Sequence, residues 1–208
     1  MNEKKYQKLF VSLMDELFDN TNQKTLEYYC YNGFENIPPK EFGLYTIIKP
    51  NNFNIEIMSE PETPKLYESK PINYNQHNSV LKLKQSDNKY LYIGKSKDIR
   101  ERIGQYINFG FTKCYDVYIK HKGGCQIWLI KNNEKLILSY ITIKELKNLY
   151  YEKYRFLFEM YSDFSGGEDI AEFFESCFLD LHTLAYNNLP FANYKPGKSR
   201  SLDFWKHF

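Results

Sequence analysis

The stretch from Tyr90 to Ile107 constrains this chain more than any other. Tyr90-Leu91-Tyr92-Ile93 is a run of β-formers that ends on Gly94. Asp98 with Glu101 three residues later has the spacing of a capping box that opens a helix. Ile99, Ile103 and Ile107 then recur every four residues, as the buried stripe of a helix should. The pattern predicts a strand, a tight turn and a helix in immediate succession, with the helix stopping near Gly110.

The rest of the chain supplies partners for that unit. Residues 80–84 alternate apolar and basic side chains, and the turn residues Ser86-Asp87-Asn88 return the chain into 90–94, which reads as a hairpin. Gly43 to Ile48 is a further short strand after the break at Pro38-Pro39. Leu9, Phe10, Leu13, Met14, Leu17 and Phe18 form the stripe of an amphipathic outer helix that ends near Asn20. Residues 50–70 are rich in Asn, Pro and Glu and read as a loop, with one small strand at 54–58. Strands are expected at 125–130 and 135–142, joined by a turn at Asn132-Asn133. A helix is expected over 144–161, broken by Ser165-Gly166-Gly167, and a last one over 169–186 before Pro190. Antiparallel strands with segregated helices give an α+β class, a small antiparallel sheet flanked by helices.

A length of 208 residues suits one domain over 1–208, with a helical extension at 1–36, an insertion at 50–79 and a basic tail at 194–208. Hydrophobic residues at 42% and charged residues at 26% exclude a disordered chain. A net charge of only +2 removes the simplest argument for a nucleic-acid partner, so distribution has to carry it. Between residues 80 and 102 seven basic residues face three acidic ones, whereas 165–182 holds five acidic residues and no Lys or Arg. Such a pair of stretches could be a phosphate track and a metal site, but on charge alone two ordinary solvated faces are the better account. Cys30, Cys114, Cys125 and Cys177 form no C-x-x-C pair, which speaks against zinc and redox motifs. No apolar run is long enough for a bilayer, and Met1 opens into a charged amphipathic stretch, so a cytoplasmic protein without a membrane partner is expected.

Two expected strands carry tyrosines, Tyr45 and Tyr92. The expected helix carries Arg102 and Tyr106 four residues apart, on one face beside the isoleucines. Cutting a phosphodiester requires a group that takes a proton from water, a cation that stabilises charge on phosphate, and a metal at the phosphate. Phenols, a guanidinium and a carboxylate can meet those needs.

Gly43-Leu44-Tyr45 followed by the unbroken block from Tyr92-Ile93-Gly94-Lys95 through Asp98 and Arg102 to Tyr106 resembles the GIY-YIG nuclease superfamily. The block from Tyr92 to Tyr106 is the specific part, close to the N-terminal domain of the excision-repair nuclease. Gly123-Gly124, the expected strand with Trp128, and Leu189-Pro190-Phe191-Ala192-Asn193 extend the resemblance. Pro196-Gly197-Lys198-Ser199-Arg200 is similar to a basic tail of some restriction endonucleases of this type. The departures are Leu44 in place of Ile, and a long separation between Tyr45 and Tyr92 where the family has a short turn.

The resemblance implies the GIY-YIG fold and a metal-dependent endonuclease acting on DNA, with RNA not separated from it, in a restriction or phage-defence role. Tyr45 and Tyr92 would line the water and phosphate, Lys95 would lie at the turn, Arg102 would pair with the scissile phosphate, and Tyr106 would bond a phosphate oxygen or activate water. Glu175 would hold one Mg²⁺ or Mn²⁺ ion. Lys97, Arg100, Lys198 and Arg200 would contact nucleic acid. Glu152 competes for the metal. Helical phase favours Glu175, which sits at the margin of an apolar stripe with Ala171, Phe178 and Leu179, whereas Glu152 lies off its stripe. A homodimer is expected of an enzyme that cuts both strands, though no residue pattern encodes one. The alternative function is a module of the same fold that binds structured DNA without cutting.

Overall fold

The computed structural model describes residues 3–19, 22–58, 66–67, 70–71, 88–111, 126–164, 169–190, 192–193 and 205. Its centre is β2 (Gly43–Ile48), all six residues of which are buried. β2 pairs antiparallel with β5 (Tyr90–Ser96) on one side and β6 (Ile137–Thr142) on the other. The short β1 (Lys24–Thr25) adds to the outer edge of β6, giving the order β1-β6-β2-β5. Register sets Tyr45 opposite both Gly94 and Tyr140, and Leu44 opposite both Lys95 and Ile141. A separate small ladder joins β3 (Leu66–Tyr67) to β4 (Lys70–Pro71) inside the expected insertion.

β2 reads as a nearly continuous apolar run because both faces of the sheet are covered. Its one polar side chain, Thr46, is 0% exposed and donates its hydroxyl to the Tyr92 carbonyl at 2.7 Å. On one face lie α1 (Glu3–Phe18), α4 (Ile143–Tyr150), α5 (Arg155–Phe164) and α6 (Ile170–Tyr186), closing a core around Phe10, Met14, Leu44, Ile93, Leu157 and Phe174. On the other face lie α2 (Leu26–Asn32), α3 (Ile99–Phe111) and the segment 126–130, closing a second core around Leu26, Tyr45, Tyr92, Ile103 and Trp128. The α+β class and the antiparallel sheet are those expected. The first helix is less peripheral than its pattern suggested, since it packs along α6 and buries Phe10 and Met14 completely.

Several expectations are corrected. The helix over 144–161 is two helices separated by a turn at 151–154. No Gly or Pro marks the break. Tyr150, Lys153 and Tyr154 all converge on Glu16 of α1, through the Tyr150 hydroxyl to its carbonyl and the other two to its carboxylate. Leu149, expected in the buried stripe, is 70% exposed near the end of α4. The expected strand at 125–130 is, over its described residues, a helical turn with only Ile130 bridged, to Ile57. That bridge is also all that forms of the strand expected at 54–58. The capping box at Asp98 is half made. Asp98 accepts the Glu101 N–H at 3.0 Å, but its own N–H goes to the Ser96 hydroxyl. A complete box forms instead between Thr142 and Glu145, opening α4. The hairpin strand at 80–84 lies outside the described residues. No described helix is long and apolar enough to cross a membrane.

Candidate active site

The site forms where β2 and β5 lie side by side under α3. Tyr45 is 0% exposed and Tyr92 is 8% exposed, and their hydroxyls lie 3.4 Å apart. The reason for Gly94 is a close approach. A Cβ there would sit 2.6 Å from Cζ of Tyr45 and 2.6 Å from Cε1 of Tyr92, well inside contact distance. The two rings lie over the strand at the one place where it lacks a side chain. Tyr106 on α3 is also fully buried, with its ring centroid 6.3 Å from Tyr45, 6.4 Å from Tyr92 and 5.6 Å from Trp128. Four aromatic rings thus form one packed unit, which holds the phenols in fixed orientation.

Arg102 enters from α3, and its Nη1 lies 3.3 Å from Oε1 of Gln105. Burial pushes both phenols up, Tyr92 further than Tyr45. The two are not equivalent. The Arg102 guanidinium and the Tyr92 hydroxyl both favour a Tyr45 phenolate, whereas Tyr92 is raised further by the Tyr45 phenol beside it. Arg102 is itself held charged by the two phenols and by Glu175, against the effect of burial. Glu175 arrives from α6, a helix buried on almost every face. Its carboxyl is raised to about 7, first by burial, with Lys95 and Arg102 opposing and Glu172 and Asp169 adding to the rise.

Lys95 fixes the start of α6 against β5, pairing with Glu172 at 3.3 Å and Asp169 at 3.6 Å. Asp169 caps that helix by accepting the Glu172 N–H. Asn193 anchors β5 from its other side. Its side-chain oxygen accepts the Ile93 N–H at 3.0 Å and its amide donates to the Ile93 carbonyl at 2.7 Å. His182 is fully buried and away from this work. Its Nε2 lies 2.6 Å from Nδ2 of Asn88, and its Nδ1 lies 2.7 Å from the Asn188 carbonyl oxygen.

The expected residues Tyr45, Tyr92, Lys95, Arg102, Tyr106 and Glu175 therefore come from β2, β5, α3 and α6 to one place. Glu152 is exposed in the turn between α4 and α5, whereas the charge of Glu175 is felt by Tyr45, Tyr92 and Arg102. Lys97 is 72% exposed in its side chain at the edge of the site. Arg100, expected at nucleic acid, donates to the carbonyls of Glu35 and Ile37 and so braces the segment that leads into β2. Lys198 and Arg200 lie outside the described residues. Sequence reasoning missed Lys40 and Phe42, which line a groove of about 550 Å³ with Lys95, Lys97 and Arg102. The only available signal was their position just ahead of the first tyrosine strand.

The arrangement brings together two phenols in contact, a guanidinium beside them and one partly buried carboxylate. A family model described as GIY-YIG catalytic domain matches residues 77–156. The match spans fewer than half of the 208 residues, and the antiparallel sheet with its flanking helices is consistent with a GIY-YIG fold. The matched residues include Tyr92, Lys95, Arg102 and Tyr106. Tyr45 and Glu175 lie outside the match and are joined to it by sheet register and by α6. The family is one of nucleases, so a nuclease-type action on nucleic acid follows at that level. Searches of curated proteins and of solved structures returned no match.

Proposed function

We propose that this protein is a metal-dependent endonuclease that hydrolyses phosphodiester bonds in DNA. The observation that carries the reading is the meeting of Arg102 and Glu175 at the hydroxyl pair of Tyr45 and Tyr92. Arg102 pairs with the scissile phosphate, for which a planar guanidinium is suited. Tyr45 serves as general base in its phenolate form, after releasing its own proton to solvent; burial opposes that ionisation, and Arg102 and the Tyr92 hydroxyl favour it. Tyr92 orients that oxygen, and Tyr106 holds the pair in place through ring packing. Lys95 balances the carboxylates at the head of α6.

Glu175 is the residue that would hold Mg²⁺ or Mn²⁺. The donor set fits. Among the described residues no group of three His, Cys, Asp or Glu could enclose a metal, and Mg²⁺ commonly takes one or two carboxylates and completes its shell with water and substrate phosphate. A partly buried carboxyl held near neutral pH also favours a cation partner. When bound, such an ion supplies Lewis-acid stabilisation of charge on the phosphate and the leaving oxygen. The restriction-type setting rests on Pro196 to Arg200, which lie outside the described residues.

Cleavage of supercoiled plasmid in Mg²⁺ or Mn²⁺ tests the reading, comparing wild type with Arg102→Ala, Glu175→Ala and Glu152→Ala. Nicking should vanish in EDTA and in the first two variants and persist in Glu152→Ala. Loss with Glu152→Ala and retention with Glu175→Ala would transfer the metal to Glu152. DNA binding without cutting under every metal and substrate would replace catalysis by the non-cutting module.

A further inference from the structure

The segment 35–42 is pinned at several points before it enters β2. Arg100 holds the carbonyls of Glu35 and Ile37. Oδ2 of Asp98 accepts the Lys40 N–H at 3.0 Å. The Glu41 carbonyl accepts the Ile99 N–H at 3.0 Å, and the Phe42 carbonyl accepts the Ile143 N–H at 2.7 Å. The starts of α3 and α4 therefore clamp the segment from both sides. Despite that order, Phe42 keeps 39% of its surface in solvent, although apolar surface is available on both sides of the sheet.

Lys40 is the second anomaly. Its φ is 56°, in the left-handed region that costs a residue with a Cβ about 1–2 kcal/mol. The other described residues with positive φ are Gly33, Asn52, Asn132 and Asn187, types that tolerate it. Lys40 alone carries a long cationic side chain there. A strained conformation held by surrounding bonds is a reason to look for a role of the side chain. Both residues line the groove that begins at Arg102. Among the described lining residues Lys40, Lys95, Lys97 and Arg102 face Asp98 and Glu101, and from outside the lining Asp169 and Glu172 pair with Lys95 and Asp169 approaches Lys97 at 3.9 Å. Asp98 is occupied by the backbone N–H groups of Lys40 and Glu101, and Glu101 accepts from Gln105.

We propose that Lys40 and Phe42 form a subsite for an unstacked nucleotide next to the scissile phosphate, with Lys40 on the neighbouring phosphate and Phe42 under the base. This rests on the nuclease reading above and adds a preference for single-stranded or locally unpaired DNA. A fixed cation track beside an exposed aromatic ring is the combination by which proteins bind single strands without reading sequence. A base in a duplex remains stacked on its neighbours and cannot reach a ring set into the groove wall. Preordering of the segment removes the entropic cost of arranging the subsite on binding.

The test is fluorescence anisotropy in EDTA with two probes, an oligo-dT dodecamer and an abasic dodecamer with the same phosphates. Phe42→Ala should weaken oligo-dT binding by about tenfold, the lower part of the range for a base stacked on an aromatic side chain, and leave the abasic probe unaffected. Phe42→Trp should retain binding. Lys40→Gly removes the amine while accommodating the left-handed backbone. It should weaken both probes alike and reduce the salt slope by about 0.7, the value for one single-strand phosphate. Lys40→Arg should restore that slope. Variants that bind oligo-dT as wild type does, while wild type cuts plasmid, would overturn the subsite and leave the nuclease reading standing. The expected pattern without any cutting would retain the subsite and remove catalysis. Wild type that neither binds nor cuts would remove both.

Discussion

Gly94→Ala isolates the packing that makes the tyrosine pair. The new Cβ would stand 2.6 Å from Cζ of Tyr45, 2.6 Å from Cε1 of Tyr92 and 2.8 Å from Cε1 of Tyr45. Favourable carbon contacts lie at about 3.5–4.0 Å, so each ring must recede by about 1 Å. Neither has room. Tyr45 is fully buried and meets Tyr106 edge-on, and Tyr92 is nearly buried behind the same ring. Overpacking of this kind costs about 1–3 kcal/mol. A displacement of about 1 Å in a reacting group lowers the rate by about a hundredfold. Urea unfolding and single-turnover plasmid cleavage read the two effects separately. Gly104→Ala is the comparator, because the nearest atoms to its Cβ belong to the ring of Phe34, at 2.8 Å, and Phe34 is partly exposed. Replacing a helical glycine by alanine there gains about 1 kcal/mol, which offsets that clash, and cleavage should stay near wild type. A Gly94→Ala protein that unfolds and cuts as wild type does would refute the argument that this glycine makes room for the two phenols.

Three further perturbations follow from the same geometry. Glu175 is raised to about 7 from 4.5, so in metal-free protein the folded state holds its proton more tightly than the unfolded chain. That contribution is present below about pH 4.5 and is lost as pH rises through about 7; thermal melts in EDTA should show Glu175→Gln gaining on wild type over this window, by about 3 kcal/mol at pH 8, and a pH-independent difference would count against burial as the cause. Asn193→Ala strands the buried N–H and carbonyl of Ile93, and should lower the urea-derived stability by about 1–3 kcal/mol. Asp98→Ala removes the acceptor for both Glu101 and Lys40, so it should cost about 1 kcal/mol in unfolding and also weaken oligo-dT binding; stability loss with unchanged binding would show that Lys40 does not depend on this anchor.

Local chemistry was legible wherever neighbours in sequence decide the outcome. The strand, glycine and helix at 90–111, the apolar run of β2, the first helix and the last helix over 169–186 all follow from periodicity and breaking residues within a few positions. The break at 151–154 was illegible because it depends on Glu16, more than a hundred residues away in sequence. The fate of 126–130 was illegible because Gln126-Ile127-Trp128 has the composition of a strand and is buried as a helical turn against Tyr106. Phase arguments also had limited reach on α6, since a helix buried on nearly all sides has no single margin from which to select Glu175. The sequence by itself determined the residue types needed for phosphate chemistry and the strand-to-helix unit that presents Tyr92, Arg102 and Tyr106. Only the tertiary structure decided that Tyr45 faces Gly94, that α6 brings Glu175 to the same phenols, and that Arg100 braces a loop. Sheet register and helix packing join residues far apart in the chain, and side-chain period alone carries no information about which distant element completes a contact.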